Sequence, residues 1–283
     1  MGRMTGKAAL ITGAARGQGR AHAVRLAEEG ADIVAVDLLG TIDTVGYSTP
    51  DSRDKDETIK LVHDRGRRIL FEQGDVRDLA RLEQITAKAV SELGHIDVVV
   101  ANAGICTSSP SWDMAETMWQ TLIDINLTGV WKTVRAAIPH MIAAGRGGSI
   151  IIISSIAGLG AFPNMVHYDA AKHGLVGLMR GLAVELGQFN IRVNTVHPTN
   201  VDTPMLQNYS IRELMTGNPA ATEADVVPVM SAQHIFNVPW VDVEDVSNMV
   251  AWLASDEARY VTATTQVLDA GALAPFKLGH PDA

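Results

Sequence analysis

Short apolar or β-branched runs recur along the chain at 8–11, 32–36, 68–71, 96–100, 149–153, 192–196 and 266–268. Between them lie longer stretches with apolar positions at helical spacing, at 19–29, 55–65, 79–92, 115–144, 168–187 and 243–255. The short runs show no polar alternation; Ile150-Ile151-Ile152-Ile153 is the plainest case. That is the pattern of parallel strands buried on both faces. Strands separated by helices of this length predict right-handed βαβ crossovers. The expected architecture is α/β, a doubly wound parallel sheet of about seven strands with helices on both faces. Ligands then belong at the carboxyl ends of the strands.

Two segments break the rhythm. The stretch 40–56 is polar, turn-rich and far longer than a β-to-α connection needs. The stretch 199–239, between the sixth strand and the last helix, is rich in Met, Asn and Pro. Both follow strands, so both are expected on the ligand side: the first over a cofactor, the second as a substrate loop.

Size and charge narrow the options. At 283 residues and 47% apolar, the chain can bury a large core in one or two domains. It has no linker-like break, so one domain over 1–283 is expected. A formal charge of −9 repels phosphate backbones and argues against nucleic acid. The apolar run at 150–153 is too short to span a bilayer, so no membrane partner is expected. No signal peptide is visible before the first strand. The single cysteine, Cys106, excludes an internal disulfide and fits a reducing, cytoplasmic setting. Nine histidines form no metal-ligand spacing, and no metal is expected.

The candidate chemistry has two halves. Gly13, Gly17 and Gly19 follow a predicted strand and open a predicted helix, the Rossmann context for a dinucleotide pyrophosphate. An ordinary glycine-rich βα turn is the plainer alternative. Asp37 stands eighteen residues past Gly19, at the end of the second strand, where a carboxylate can hydrogen-bond an adenosine ribose. A 2′-phosphate about 4 Å away would cost about 4 kcal/mol at an effective dielectric of 20. The cofactor predicted is therefore NAD, although Arg16 in the turn could favour a phosphorylated one. Asp75-Val76 is placed beneath the adenine, or Asp75 is a helix N-cap. Asn102-Ala103-Gly104 brings small residues and one amide beside the cofactor, or serves as a stabilising turn.

The second half is Tyr168 and Lys172, one helical turn apart, thirteen residues after Ser155. A phenol, with a reference pKa of about 10, is a poor base at neutral pH unless a cation such as Lys172 favours phenolate. Ser155 can hydrogen-bond a substrate oxygen, and Tyr168 can exchange the alcohol proton as hydride moves. His167 and His173 flank this pair and read as structural. Met205, Leu206 and Met215 suggest an apolar pocket.

These motifs together resemble the short-chain dehydrogenase/reductase family over 7–271: the turn 12–19, Asn102-Ala103-Gly104, Asn126 in Asp-Ile-Asn-Leu-Thr-Gly, Ser155, Tyr168 with Lys172, and Pro198 through Thr203. The resemblance implies that Asn126 holds a water linking Lys172 to solvent, unless it is a helix-packing amide. It implies nicotinamide contacts from Val201 and Thr203. Further cofactor contacts are expected from Arg16, Gln18, Leu38, Tyr168 and Lys172. It also implies a homotetramer paired through the helices at 115–144 and 168–187. Thr199 and Ala263 stand where the family usually has glycine. A narrower similarity, carried by 13–22, the insertion after Asp37 and 197–205, is to the mycofactocin-coupled, carveol-dehydrogenase-like subgroup. There NAD is thought to stay bound while a peptide-derived redox carrier, mycofactocin, collects the electrons. The reading is an NAD-dependent oxidoreductase of a small, apolar secondary alcohol or ketone. The rivals are a sugar-nucleotide epimerase or dehydratase, and an NAD-binding sensor or scaffold without catalysis.

Overall fold

In the computed structural model, which describes residues 2–274, alternate residues of each central strand face opposite sides of one sheet. The strands are β1 (Ala8–Thr12), β2 (Asp32–Asp37), β3 (Ile69–Gln73), β4 (Val98–Ala101), β5 (Gly148–Ile153), β6 (Ile191–Pro198) and β7 (Thr265–Leu268). All pairs are parallel, in the order β3-β2-β1-β4-β5-β6-β7. The chain winds outward from β1 to β3, then returns to place β4 against β1, which opens a crevice at their carboxyl ends.

The helices between strands are α1 (Gly17–Glu28), α2 (Ser52–His63), α3 (Leu79–Leu93), α4 (Glu116–Ile123), α5 (Gly129–Ala144) and α6 (Val166–Leu186). After β6 come α7 (Tyr209–Thr216), α8 (Glu223–Ser231) and α9 (Val243–Ala254). Ile11, Ile33 and Ile151 pack with Leu26 of α1, Val62 of α2 and Val250 of α9. Their strand neighbours Leu10, Val34 and Ile150 pack on the other face with Leu82 of α3, Val134 of α5 and Met179 of α6. Two buried faces explain why the strands read as unbroken apolar runs.

Three features depart from the sequence pattern. The apolar stretch 115–144 is not one helix: residues Asp124–Thr128 form a π-helical turn between α4 and α5. Helix α2 begins at Ser52, inside the segment read as insertion, because Asp51 accepts the Arg53 and Asp54 amides while Asp54 answers the Asp51 amide. The irregular insertion is therefore 40–51. The 199–239 excursion holds two short helices, α7 and α8, capped by Asn208 and Thr222.

Candidate active site

The glycine turn joins β1 to α1 with Gly13 and Gly17 in left-handed conformations, at φ +67° and +54°. A Cβ on Gly19 would stand 2.0 Å from the Gly13 carbonyl oxygen. Asn102 holds this turn from below, its amide donating to the Thr12 and Gly13 carbonyls at 3.0 and 3.3 Å. The stabilising role expected of Asn102 is thus to brace this turn. No side chain caps the first turn of α1, so its amides face the crevice.

A cavity runs over this turn, lined by Gly13, Arg16, Gly17, Gln18, Gly19, Asp37, Leu38, Asp75, Val76, Asn102, Ala103, Gly104 and Thr203. Buried Asp37 accepts the Ala15 amide at 2.9 Å, and desolvation holds its carboxyl above the usual range. Asp75 is not the cap of α3; Asp78 is, accepting from Arg81. Asp75 instead grips the Arg77 guanidinium with both oxygens, and Val76 packs under Gly129 at the start of α5. The insertion closes the same cavity with Ile42, Tyr47, Thr49 and Pro50. It is fastened at both sides: Arg16 donates to the Ser48 carbonyl, and the Cys106 amide donates to the Tyr47 hydroxyl at 3.3 Å.

A second cavity adjoins the first through Gln18, Thr203 and Met205. Ser155 and Tyr168 form its polar wall; Phe162, Met165, Leu206, Ile211 and Met215 supply apolar ones. Val201 lies here rather than in the first cavity, as does Cys106, whose thiol burial pushes up to about 12. The Gln18 Oε1 is buried and without a partner at this junction.

Ser155 follows the end of β5, and Tyr168 and Lys172 stand on the first turns of α6. Ser155 adopts extended backbone and its Oγ accepts the Ala157 amide at 3.1 Å, starting a 3-10 turn. Gly158 closes that turn beneath α6, where a Cβ would meet the Lys172 carbonyl at 2.7 Å. Lys172, 5% exposed, lines neither cavity. Its ammonium donates to the Ile153 carbonyl at 2.9 Å and lies 5.4 Å from the Tyr168 ring. Burial lowers its pKa to about 8, so it remains mostly charged at neutral pH. Burial pushes the Tyr168 phenol well above its ordinary value, only partly opposed by a Ser155 hydrogen bond. Asn126, fully buried in the π-helical turn, exchanges two 2.8 Å hydrogen bonds with the backbone of Ile105. These bonds hold the loop after β4 and leave one N–H and one lone pair of the amide free. π-helical turns recur at functional sites.

Comparison with known proteins fits this geometry. The short chain dehydrogenase family model matches residues 7–213. The chain belongs to that family. This short-chain dehydrogenase is 48% identical to (−)-trans-carveol dehydrogenase of Rhodococcus erythropolis, over 96% of its own length and 99% of that protein. The crystal structure of carveol dehydrogenase from Mycobacterium avium in complex with NAD superposes with a TM-score of 0.94, at 49% identity, covering 96% and 99% of the two chains. A short chain dehydrogenase from Mycobacterium paratuberculosis bound to NAD gives 0.88 at 43% identity, covering 96% and 99%.

Both unusual residues of this dehydrogenase have a structural account. Thr199 is buried, and its hydroxyl meets His234 Nε2 at 2.7 Å while His234 Nδ1 donates to the Val238 carbonyl at 2.6 Å. That pair ties the start of the 199–239 loop to its end. Ala263 adopts φ +59°, the left-handed region its missing glycine would have occupied without strain. His167 is buried against Thr107, and His173 is exposed with its Nδ1 2.9 Å from the Asp169 carbonyl. No group that could hold a metal occurs among the described residues, and no helix there is long and apolar enough to cross a membrane.

Proposed function

We propose that this chain is an NAD-dependent dehydrogenase of a small, apolar secondary alcohol or ketone, and that it keeps its NAD bound through turnover. The observation that carries the reading is the meeting of two cavities at Gln18, one built for a dinucleotide and one walled by Ser155 and Tyr168. The uncapped first turn of α1, the Gly19 cradle and the unpartnered Gln18 oxygen all fit a nicotinamide dinucleotide. Gly13, Gly17 and Gly19 would take the pyrophosphate, Asp37 and Leu38 the adenosine ribose, and Asp75 with Val76 the adenine. Val201 and Thr203, with Gln18, would hold the carboxamide end. Bound NAD supplies the hydride acceptor and a positive charge on its oxidised ring.

Everything else is done by the chain. Ser155 orients the substrate oxygen, and Tyr168 exchanges its proton. The phenol is held protonated in its buried setting, so it is ready to protonate a carbonyl. In the oxidative direction, the Lys172 charge and the oxidised ring together must favour phenolate. Asn126 fixes Ile105 and the loop beside it, and would hold the water that links Lys172 to solvent. Having Ser155, Tyr168 and Lys172 at one site argues against a non-catalytic scaffold.

Retention is supported by the insertion. Residues 40–51 cover the dinucleotide cavity, and Gly46 packs so close to α7 that a Cβ would stand 2.8 Å from the Tyr209 hydroxyl. Mycofactocin is the proposed electron acceptor, as the narrower resemblance implies. A homotetramer is also proposed. On the helices expected to pair, Leu122, Ile125, Leu175 and Met179 are buried in the chain's own core. Trp119, Trp131 and Val184 are exposed there and would supply apolar surface for pairing, with the half-buried Leu178 and Leu182.

Purified protein should release NAD or NADH on denaturation, and oxidise carveol poorly with added NAD alone. An artificial electron acceptor should restore turnover. Cofactor-free protein with rapid, saturable turnover of external NAD would overturn retention, and inactivity toward every secondary alcohol tested would overturn the dehydrogenase reading. Light scattering that gives a monomer at micromolar concentration would remove the tetramer.

A further inference from the structure

His197 lies on β6, one strand over from the reactive serine, and is fully buried. Its Nδ1 stands 2.7 Å from the carbonyl oxygen of Ser155. A carbonyl can only accept, so Nδ1 carries the proton. Burial lowers the ring's pKa to about 4, which keeps it neutral at physiological pH. With the proton on Nδ1, Nε2 is a bare acceptor, and the Thr195 hydroxyl donates to it at 2.8 Å. The Ser155 carbonyl thereby selects the tautomer, and the Thr195 hydroxyl, able to donate or accept, is compatible with it.

The same Ser155 carbonyl accepts the Gly158 amide at 2.9 Å, so both its lone pairs are engaged. One bond comes from the 3-10 turn that follows Ser155; the other crosses from the neighbouring strand. Together they fix the peptide plane between Ser155 and Ile156, and so fix the direction in which Oγ leaves the backbone. The Ala157 amide then holds Oγ itself. Without the cross-strand bond, that carbonyl would be held only by the Gly158 amide.

We infer that His197 is a positioning residue for the dehydrogenase reaction, holding Ser155 through its carbonyl from a ring protonated on Nδ1. This rests on the dehydrogenase reading above for its kinetic consequence, and on the ring geometry alone for its structural one. Misplacement of a catalytic group by about 1 Å can cost about a hundredfold in rate.

The experiment pairs kinetics with spectroscopy on the full chain. His197→Leu should lower kcat about tenfold or more, with little change in KM. His197→Asn, whose side-chain amide can donate from nearly the Nδ1 position, should recover most of that loss. In a Ser155→Ala background, His197→Leu should cost less than about threefold, because the group it positions is gone. An equal loss in both backgrounds would show a general structural role and overturn the inference. Nitrogen-15 spectra of the wild-type protein should show a neutral His197 ring protonated on Nδ1; a ring protonated on Nε2 would overturn it too. Should His197→Leu fail to fold, the asparagine variant and the tautomer still decide. Should the wild type turn over no alcohol, the dehydrogenase reading fails, while the tautomer still judges the contact with Ser155.

Discussion

Replacing Lys172 by methionine should make the protein more stable and nearly inactive. The ammonium is almost wholly buried, and its pKa falls from 10.5 to about 8. That depression corresponds to about 3 kcal/mol of unfavourable burial of the charged form. Methionine keeps most of the aliphatic stem but gives up the bond to the Ile153 carbonyl, which offsets about 1–2 kcal/mol. The net expectation is a gain of about 1–2 kcal/mol at pH 7, read as a Tm rise of about 2–5 °C. The pH dependence follows from linkage. Between about 8 and 10.5 the unfolded lysine holds a proton that the folded one has lost, so wild-type stability rises across that window. The methionine variant shows no such rise. Its advantage should therefore be largest below pH 8 and shrink by about 2 kcal/mol by pH 9.5. Urea unfolding of nucleotide-free protein at both pH values measures this. Turnover should meanwhile fall at least about a hundredfold, since the phenol loses its cation. A variant destabilised by more than about 1 kcal/mol at pH 7, or a stability gap that does not change with pH, would refute the burial argument.

Tyr168→Phe should cost at least about a hundredfold in turnover while nucleotide affinity, measured by fluorescence titration, stays within a few-fold. Asp37→Ser removes the charge that faces a 2′-phosphate, and should improve the ratio of NADP to NAD efficiency by about ten- to a hundredfold, well inside the Coulomb limit; an unchanged ratio would mean that Asp37 serves only the Ala15 amide. Ala263→Gly relieves a left-handed alanine, and denaturant titration should show a gain of about 0.5 kcal/mol, the relief being partly offset by glycine's freer unfolded chain.

The sheet was legible because a strand such as Ile150–Ile153 cannot be amphipathic when both of its faces are covered. Its neighbours Ile151 and Ile152 indeed go to opposite cores. The dinucleotide turn was legible because glycine is demanded there by backbone geometry, as the contacts at Gly19 make plain. What hid was local. The π-helical turn at Asp124–Thr128 leaves the apolar spacing of 115–144 almost intact, so nothing in the pattern announces it. Helix α8 carries Pro228 in its interior and α7 is only eight residues long, so neither has a periodicity that stands out. His197 looked like one more histidine in a strand, because its partner is a backbone carbonyl contributed from another strand.

The touch between Gly46 and Tyr209 bears on how this enzyme could be re-engineered. Two segments far apart in sequence have been shaped against each other, so neither is a free-standing module. Grafting 40–51 alone onto a related scaffold would bring a loop whose outer rim has nothing to rest on. Exchanging the substrate loop alone, to change what the enzyme accepts, would disturb the roof of the neighbouring dinucleotide chamber. Recombination that respects this chain's construction would move both segments at once, with Arg16 and Cys106 as their fixed hinges on the scaffold.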